Sequence, residues 1–358
     1  MTDFSRIFQI EEGEETLREF GEGHINRTYL LETAQGGAYV LQEINTSVFP
    51  NVDGLMGNIQ QVTSYLRGII AKRGGDPGRN TMTLIPARDG RLYYRREDGT
   101  CWRLYTYVDH TVTYQSFDDP AVFEKCGEAF GGFLADLAEY PADTLCEVIP
   151  HFHDTPARYN ALVNAIADDV KSRAAEVCDE IDFAVARADR YGLIMDALRE
   201  GTIPLRVTHN DTKINNILMD PDTGEGVCVV DLDTVMPGSC LFDYGDSIRF
   251  GATTAAEDAL DPGTMHISLP LFKAYTEGYL KGSRGCLTEQ ERAWLPVGAW
   301  MMTMECGMRF LSDYLSGDTY FRIAREKHNL DRARTQFALA ADMERNWDRM
   351  ENIIREGI

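Results

Sequence analysis

The sequence predicts an α+β fold in two lobes: a small N-lobe with an antiparallel sheet over residues 1–109, and a larger, mostly helical C-lobe over 110–358. Three observations predict it. Short runs of β-branched and aromatic residues, separated by glycine turns, crowd the first hundred positions. From about Asp109 the apolar residues recur at helical spacing instead. A length of 358 residues also exceeds what one small core organises.

Taken in order, the turn at residues 21–26 carries Gly21 and Gly23 and leads into a strand over 28–33. Gln35-Gly36-Gly37 turns the chain into a second strand at 38–44. Residues 53–71 place Leu55, Ile59, Val62, Leu66 and Ile70 on one helical stripe. Strands at 92–95 and 102–108 flank the turn Asp98-Gly99, and the lobes join near 108–113. Asp118 and Asp119 before Pro120 mark a helix start, after which Phe123, Cys126, Phe130, Phe133, Leu134 and Leu137 line one face. Further helices are expected from Thr155-Pro156, over 181–198, from about 269, over 295–315 and over 331–355.

Composition narrows the partners. With 57 acidic and 35 basic side chains the formal charge is −22, a field that repels nucleic acid and anionic membranes. A local cluster of donors with a metal ion can still hold a nucleotide. The eight cysteines show no C-x-x-C pair and read as reduced apolar residues. No 18-residue apolar run and no basic, apolar leader occurs, so the chain is expected to be cytoplasmic, and it is expected to act as a monomer.

The segment that carries chemistry is His209-Asn210-Asp211, then Asn216, then a hairpin ending at Asp231. In H-x-D-x-x-x-x-N the aspartate occupies a loop, and the asparagine stands where the next strand begins. The turn at 220–226 then returns the chain to the second carboxylate. Asp211 fits a general base for a hydroxyl, and Asn216 with Asp231 offers the hard oxygens that Mg2+ prefers. A lone aspartate would more often cap a turn; it is the shared register that favours catalysis. His209 is expected to hold the loop by hydrogen bonds. Asp233 could share the metal or bond nearby backbone, and Lys213 could offset charge on the transferred group or simply face solvent.

The turn with Gly21 and Gly23 suits a phosphate cover, from which His24 and Asn26 could reach phosphate or substrate. The strand over 102–108, with Tyr105, Tyr107 and Val108, is expected to present backbone to adenine. His151-Phe152-His153-Asp154 resembles a metal cluster, but it precedes Thr155-Pro156 and reads better as a helix cap. Asp243 is expected to be a buried acceptor that supports the catalytic loop.

Together, Thr208 to Asp211, Asn216-Ile217-Leu218, Asp231 and Phe242-Asp243 resemble the aminoglycoside phosphotransferase-like kinases, or choline-kinase-like superfamily, whose fold is bilobal and protein-kinase-like. Within it, the segments around Gly21, Val40-Leu41-Gln42, His151 to Pro156, and Met304 to Phe310 are similar to the N-acetylhexosamine 1-kinases. The resemblance implies ATP- and Mg2+-dependent phosphorylation of the anomeric hydroxyl of N-acetylglucosamine or N-acetylgalactosamine. It implies Asp211 as base, Asn216 and Asp231 at magnesium, and Arg309, Tyr320, His24 and Asn26 as sugar contacts. Where related kinases carry a strand lysine this chain has Gln42, which donates a hydrogen bond but no charge and leaves open which cation balances the phosphates. Other small alcohols, or nucleotide binding without catalysis, are the competing readings.

Overall fold

The computed structural model describes residues 3–21, 25–114 and 119–357. Gly23, His24 and Asp118 therefore lie outside the described residues. The chain divides into two compact units. The first comprises Met1–Thr113, Glu139–Pro150 and Ile217–Pro237; the second comprises Tyr114–Ala138, His151–Asn216 and Gly238–Ile358. A cut in chain order at 109/110 differs from this division chiefly in the segments 139–150 and 217–237, which pack with the strand-rich unit.

In the first unit, strands β1 (Glu15–Glu19), β2 (Arg27–Thr33) and β3 (Ala38–Ile44) form an antiparallel meander. Helix α1 (Val52–Lys72) intervenes before β4 (Leu84–Ile85), β5 (Tyr94–Arg95) and β6 (Cys101–Thr106). The main sheet path runs β1-β2-β3-β6-β4, with β5 also on β6, so β6 is central and antiparallel to every neighbour. Strand β1 was not apparent from sequence because Glu-Thr-Leu-Arg-Glu is an exposed, charged edge. Phe4, Phe8, Leu31, Leu41, Trp102 and Leu104 close the core on the sheet. All five stripe residues of α1 are buried, worth on the order of 10 kcal/mol before chain entropy is charged against them. Asn51 caps the helix by accepting from the Gly54 N–H.

The second unit is mostly helical: α2 (Pro120–Asp136), α3 (Thr155–Asp168), α4 (Cys178–Val185), α5 (Leu193–Glu200), α6 (Cys240–Gly251), α7 (Leu269–Gly282), α8 (Glu289–Ala293), α9 (Leu295–Ser316), α10 (His328–Arg345) and α11 (Trp347–Glu356). The helix expected over 181–198 is two, because Gly192 weakens the middle of the run and Tyr191 turns back to bond Ala184 O. The helix expected over 331–355 is also two; it breaks at Asn346, whose side chain bonds Asp342 O and competes with the backbone.

Helices α2 and α7 lie backbone to backbone. A Cβ at Gly127 or Gly131 would overlap the carbonyls of Tyr275 or Tyr279, and one at Gly278 or Gly282 would overlap those of Glu124 or Glu128. This close crossing brings Phe130 and Phe133 edge-on to the His209 ring, at centroid separations of 5.7 and 6.0 Å. No described helix is long and apolar enough to cross a membrane. All eight cysteines are free thiols.

Candidate active site

In the second unit a short strand, β7 (Arg206–Thr208), delivers the chain into the loop that carries Asp211. Asn210 sits at φ 63°, a left-handed conformation that asparagine tolerates better than most residues. The loop is held from α6. Asp243 accepts the His209 N–H at 2.8 Å and the Asn210 N–H at 2.7 Å, and its carbonyl accepts the Thr212 hydroxyl at 2.6 Å. Burial pushes the Asp243 carboxyl above the usual range, while His209 and the two N–H groups pull against it. His209 Nδ1 accepts the Asp211 N–H at 3.3 Å.

Asp211 is partly exposed and held on both sides. Its Oδ1 lies 2.8 Å from Lys213 Nζ, and its Oδ2 accepts from Asn216 Nδ2 at 3.3 Å. Asn216 Nδ2 also bonds the Asp211 carbonyl at 2.8 Å. With its nitrogen occupied, the Asn216 amide keeps its oxygen for a ligand. Burial pulls the Lys213 ammonium down, but the Asp211 carboxylate outweighs it and leaves it above the ordinary lysine value.

In the first unit, the hairpin of β8 (Ile217–Met219) and β9 (Gly226–Val229) leads to Asp231, which is exposed and left-handed at φ 59°. The strand does not continue past it: residues 232–234 form a single 3-10 turn. Asp233 consequently turns inward. Its Oδ1 lies 2.5 Å from Arg103 Nη1, off the line of a hydrogen bond, and its Oδ2 accepts from Asn26 Nδ2 at 2.6 Å. Arg103 is 1% exposed, and its Nε and Nη2 donate to Gln42 Oε1 at 3.0 and 2.8 Å. Gln42 Nε2 donates to Thr28 Oγ1. Arg103 faces Gln42 in register across the sheet. A cation thus does neighbour Gln42, but it arrives from the adjacent strand and is committed to Asp233. Burial works against the Arg103 charge, and Asp233, Tyr105 and Asp231 more than restore it.

Asn216 and Asp231 each offer a hard oxygen of the kind Mg2+ prefers. Among the other expected contacts, Gly21 is left-handed at φ 76° and exposed. Tyr105 is buried, with a hydroxyl that finds no partner among the described residues and a ring 5.2 Å from the Arg103 guanidinium. Tyr107 N–H bonds Ala38 O, and Val108 is buried. Both ends of the Asn26 amide are engaged, the oxygen by Asn45 N–H. On α9, Arg309 makes no hydrogen bond or ion pair among the described residues. Its guanidinium lies instead 5.6, 6.0 and 5.5 Å from the rings of Phe152, Tyr320 and Phe321.

Sequence reasoning passed over three side chains. Arg103 read as one more strand residue. Glu305, fully buried on α9, lay within the resembling segment Met304 to Phe310 but was given no role of its own. The cap expected at Asp154 or Thr155 is Asp154, which accepts the Ala157 N–H, but the same reading gave His153 no role of its own, and it is buried against Glu305. The only signal available was a set of charged residues inside otherwise apolar runs.

Residues 16–279 match the phosphotransferase enzyme family (APH). The fold is similar to that of an amicoumacin kinase in complex with AMP-PNP, Ca2+ and Ami, at 15% identity and TM-score 0.57 over 90% of this chain and 87% of that one. It is similar to a spectinomycin phosphotransferase in complex with ADP and spectinomycin, at 11% identity and TM-score 0.58 over 95% and 96%. It is similar also to a choline kinase from Cryptosporidium parvum Iowa II, at 13% identity and TM-score 0.57 over 95% and 92%. At these identities the likeness concerns the fold. The family match itself spans well over half of the chain, and on that ground this protein belongs to the phosphotransferase enzyme family.

Proposed function

We propose that the protein transfers the γ-phosphate of ATP to the anomeric hydroxyl of an N-acetylhexosamine, forming the sugar 1-phosphate. Asp211 would accept the hydroxyl proton as the phosphoryl group moves. Lys213 and Asn216 orient its two oxygens, so the carboxylate pays little reorganisation on engaging substrate. Asn216 Oδ1 and Asp231 would hold Mg2+, which supplies charge neutralisation at the phosphates. Gly21, Gly23, Gln42, Tyr105, Tyr107 and Val108 would serve the nucleotide, and His24 and Asn26 would reach phosphate or sugar.

The observation that carries the acceptor class is the state of Arg309. A guanidinium that makes no hydrogen bond or ion pair among the described residues, flanked by three aromatic rings, suits a neutral, hydroxyl-rich ring that accepts hydrogen bonds and packs apolar faces. A cationic acceptor such as choline or an aminoglycoside would meet like charge there. Arg158 already feels it: burial, then Arg309, lower its guanidinium below the ordinary value. The net charge of −22 would favour cations at long range, but contact charges decide at the site.

The test is an ATP-consumption screen with N-acetylglucosamine, N-acetylgalactosamine, choline, homoserine and an aminoglycoside, with Asp211→Asn as blank. Magnesium-dependent turnover of the sugars is expected. Turnover of choline without the sugars would remove the acceptor assignment.

A further inference from the structure

One side chain near the proposed base has no part in the chemistry above. His153, just before α3, is 8% exposed and sits between two acceptors. Its Nδ1 lies 2.8 Å from Glu305 Oε1, and its Nε2 lies 3.3 Å from the carbonyl of Asn210. A backbone carbonyl can only accept. Glu305 is also an acceptor: burial pushes its carboxyl up, but His153, its hydrogen bond and Arg309 hold it below the usual range, and Thr155 donates to its second oxygen at 2.8 Å. The carbonyl calls for a proton on Nε2, so the ring bridges the Asn210 peptide to the buried carboxyl of α9.

We propose that His153 is a positioning residue, a ring clamped between Glu305 and the Asn210 carbonyl that fixes the peptide plane from which Asp211 projects. The inference rests on the reading of Asp211 as the reacting base. The Asn210 residue is pinned at both ends, its N–H by Asp243 and its carbonyl by His153. Between those anchors lies a left-handed residue, which would relax toward an ordinary conformation if one were lost. The carbonyl released by that relaxation belongs to the peptide that enters Asp211. The groups facing the ring are Glu305 on α9, with Arg309 one turn beyond, and Asp243 and Asp246 on α6. Phe152 and Phe242 flank the ring, at 4.4 and 5.3 Å between centroids, and keep water from substituting for it.

Glu305→Gln removes the charge while keeping shape and the bond to Thr155, so it isolates the clamp from packing; His153→Gln is the companion. Three readouts avoid any choice of acceptor: intrinsic hydrolysis of Mg-ATP, ADP affinity by calorimetry, and amide hydrogen exchange resolved by segment. Hydrolysis is expected to fall about 10- to 100-fold in both variants. Exchange at residues 209–212 should accelerate, with ADP affinity and exchange in α9 unchanged. Parental hydrolysis and parental exchange in Glu305→Gln would overturn the proposal. So would exchange rising uniformly through the unit together with lost ADP affinity, which marks a merely structural role. Asp211→Asn in parallel separates the two readings: if it hydrolyses ATP like the parent, the base assignment fails, whatever His153 does.

Discussion

Replacing Arg103 with methionine should be among the most damaging single changes in the first unit. Methionine fills much of the volume of the arginine stem but removes the guanidinium. Asp233, with a side chain 5% exposed, would keep only Asn26, and Gln42 Oε1 would lose both donors. Breaking a buried pair from one side costs about 3–5 kcal/mol, and an orphaned buried acceptor adds about 1–3 kcal/mol. The sum, roughly 4–8 kcal/mol, rivals the whole stability of an ordinary domain. Removing Asp233 as well changes the sign of the main contribution, because no uncompensated charge remains. Arg103→Met/Asp233→Asn should therefore recover several kcal/mol of the single-variant loss, with a coupling energy well above the ~1 kcal/mol of an exposed pair. Urea titrations of the parent, both singles and the double, followed by fluorescence, measure this coupling. The turn that carries Asp231 runs straight into Asp233, so Mn2+ affinity by paramagnetic resonance should weaken in Arg103→Met and partly recover in the double. Additive singles, with a coupling near zero, would refute the placement of this pair.

The remaining expectations are briefer. Asp211→Asn should abolish acceptor phosphorylation while calorimetry still detects ATP at near-parental affinity; equal turnover in mutant and parent would remove Asp211 as the base. Arg309→Ala should raise the KM for the sugar far more than that for ATP, and the reverse pattern in steady-state kinetics would reject its role. Gly278→Ala places a methyl against the Glu124 carbonyl and should lower the melting temperature sharply, whereas Gly132→Ala, with open space at its Cβ, should not; equal melting of the two would contradict the α2–α7 crossing. Glu291, Glu305 and Asp246 are each held below their usual values despite burial, by Arg206, by His153 and by Arg249 respectively. Depressed carboxyls contribute stability that is present above the ordinary glutamate value of 4.5 and lost as pH falls through the folded value. The urea midpoint should thus decline as the pH drops below 4.5, and a midpoint independent of pH in that range would count against these pairs.

How much was legible depended on whether a feature is local in sequence. The stripe of Leu55, Ile59, Val62, Leu66 and Ile70 announces α1 because a helix face repeats every few residues and burial acts on that face. The register of His209, Asp211 and Asn216 was readable because one short loop positions all three. Asn346 and Gly192 broke helices that periodicity alone would continue, since a competing side-chain bond or a missing side chain is weaker than the pattern around it.

By itself the sequence determined the α+β class, with an antiparallel sheet in the N-terminal part and mostly helices after it, and the motif of a phosphotransferase. Only the tertiary structure decided where the buried charges go. Arg103 meets Asp233 across 130 positions of chain, and His153 meets Glu305 across 152. Such pairs leave no periodic trace, because a charge inside a protein is stable only beside the partner that folding brings to it, and no local spacing rule names that partner.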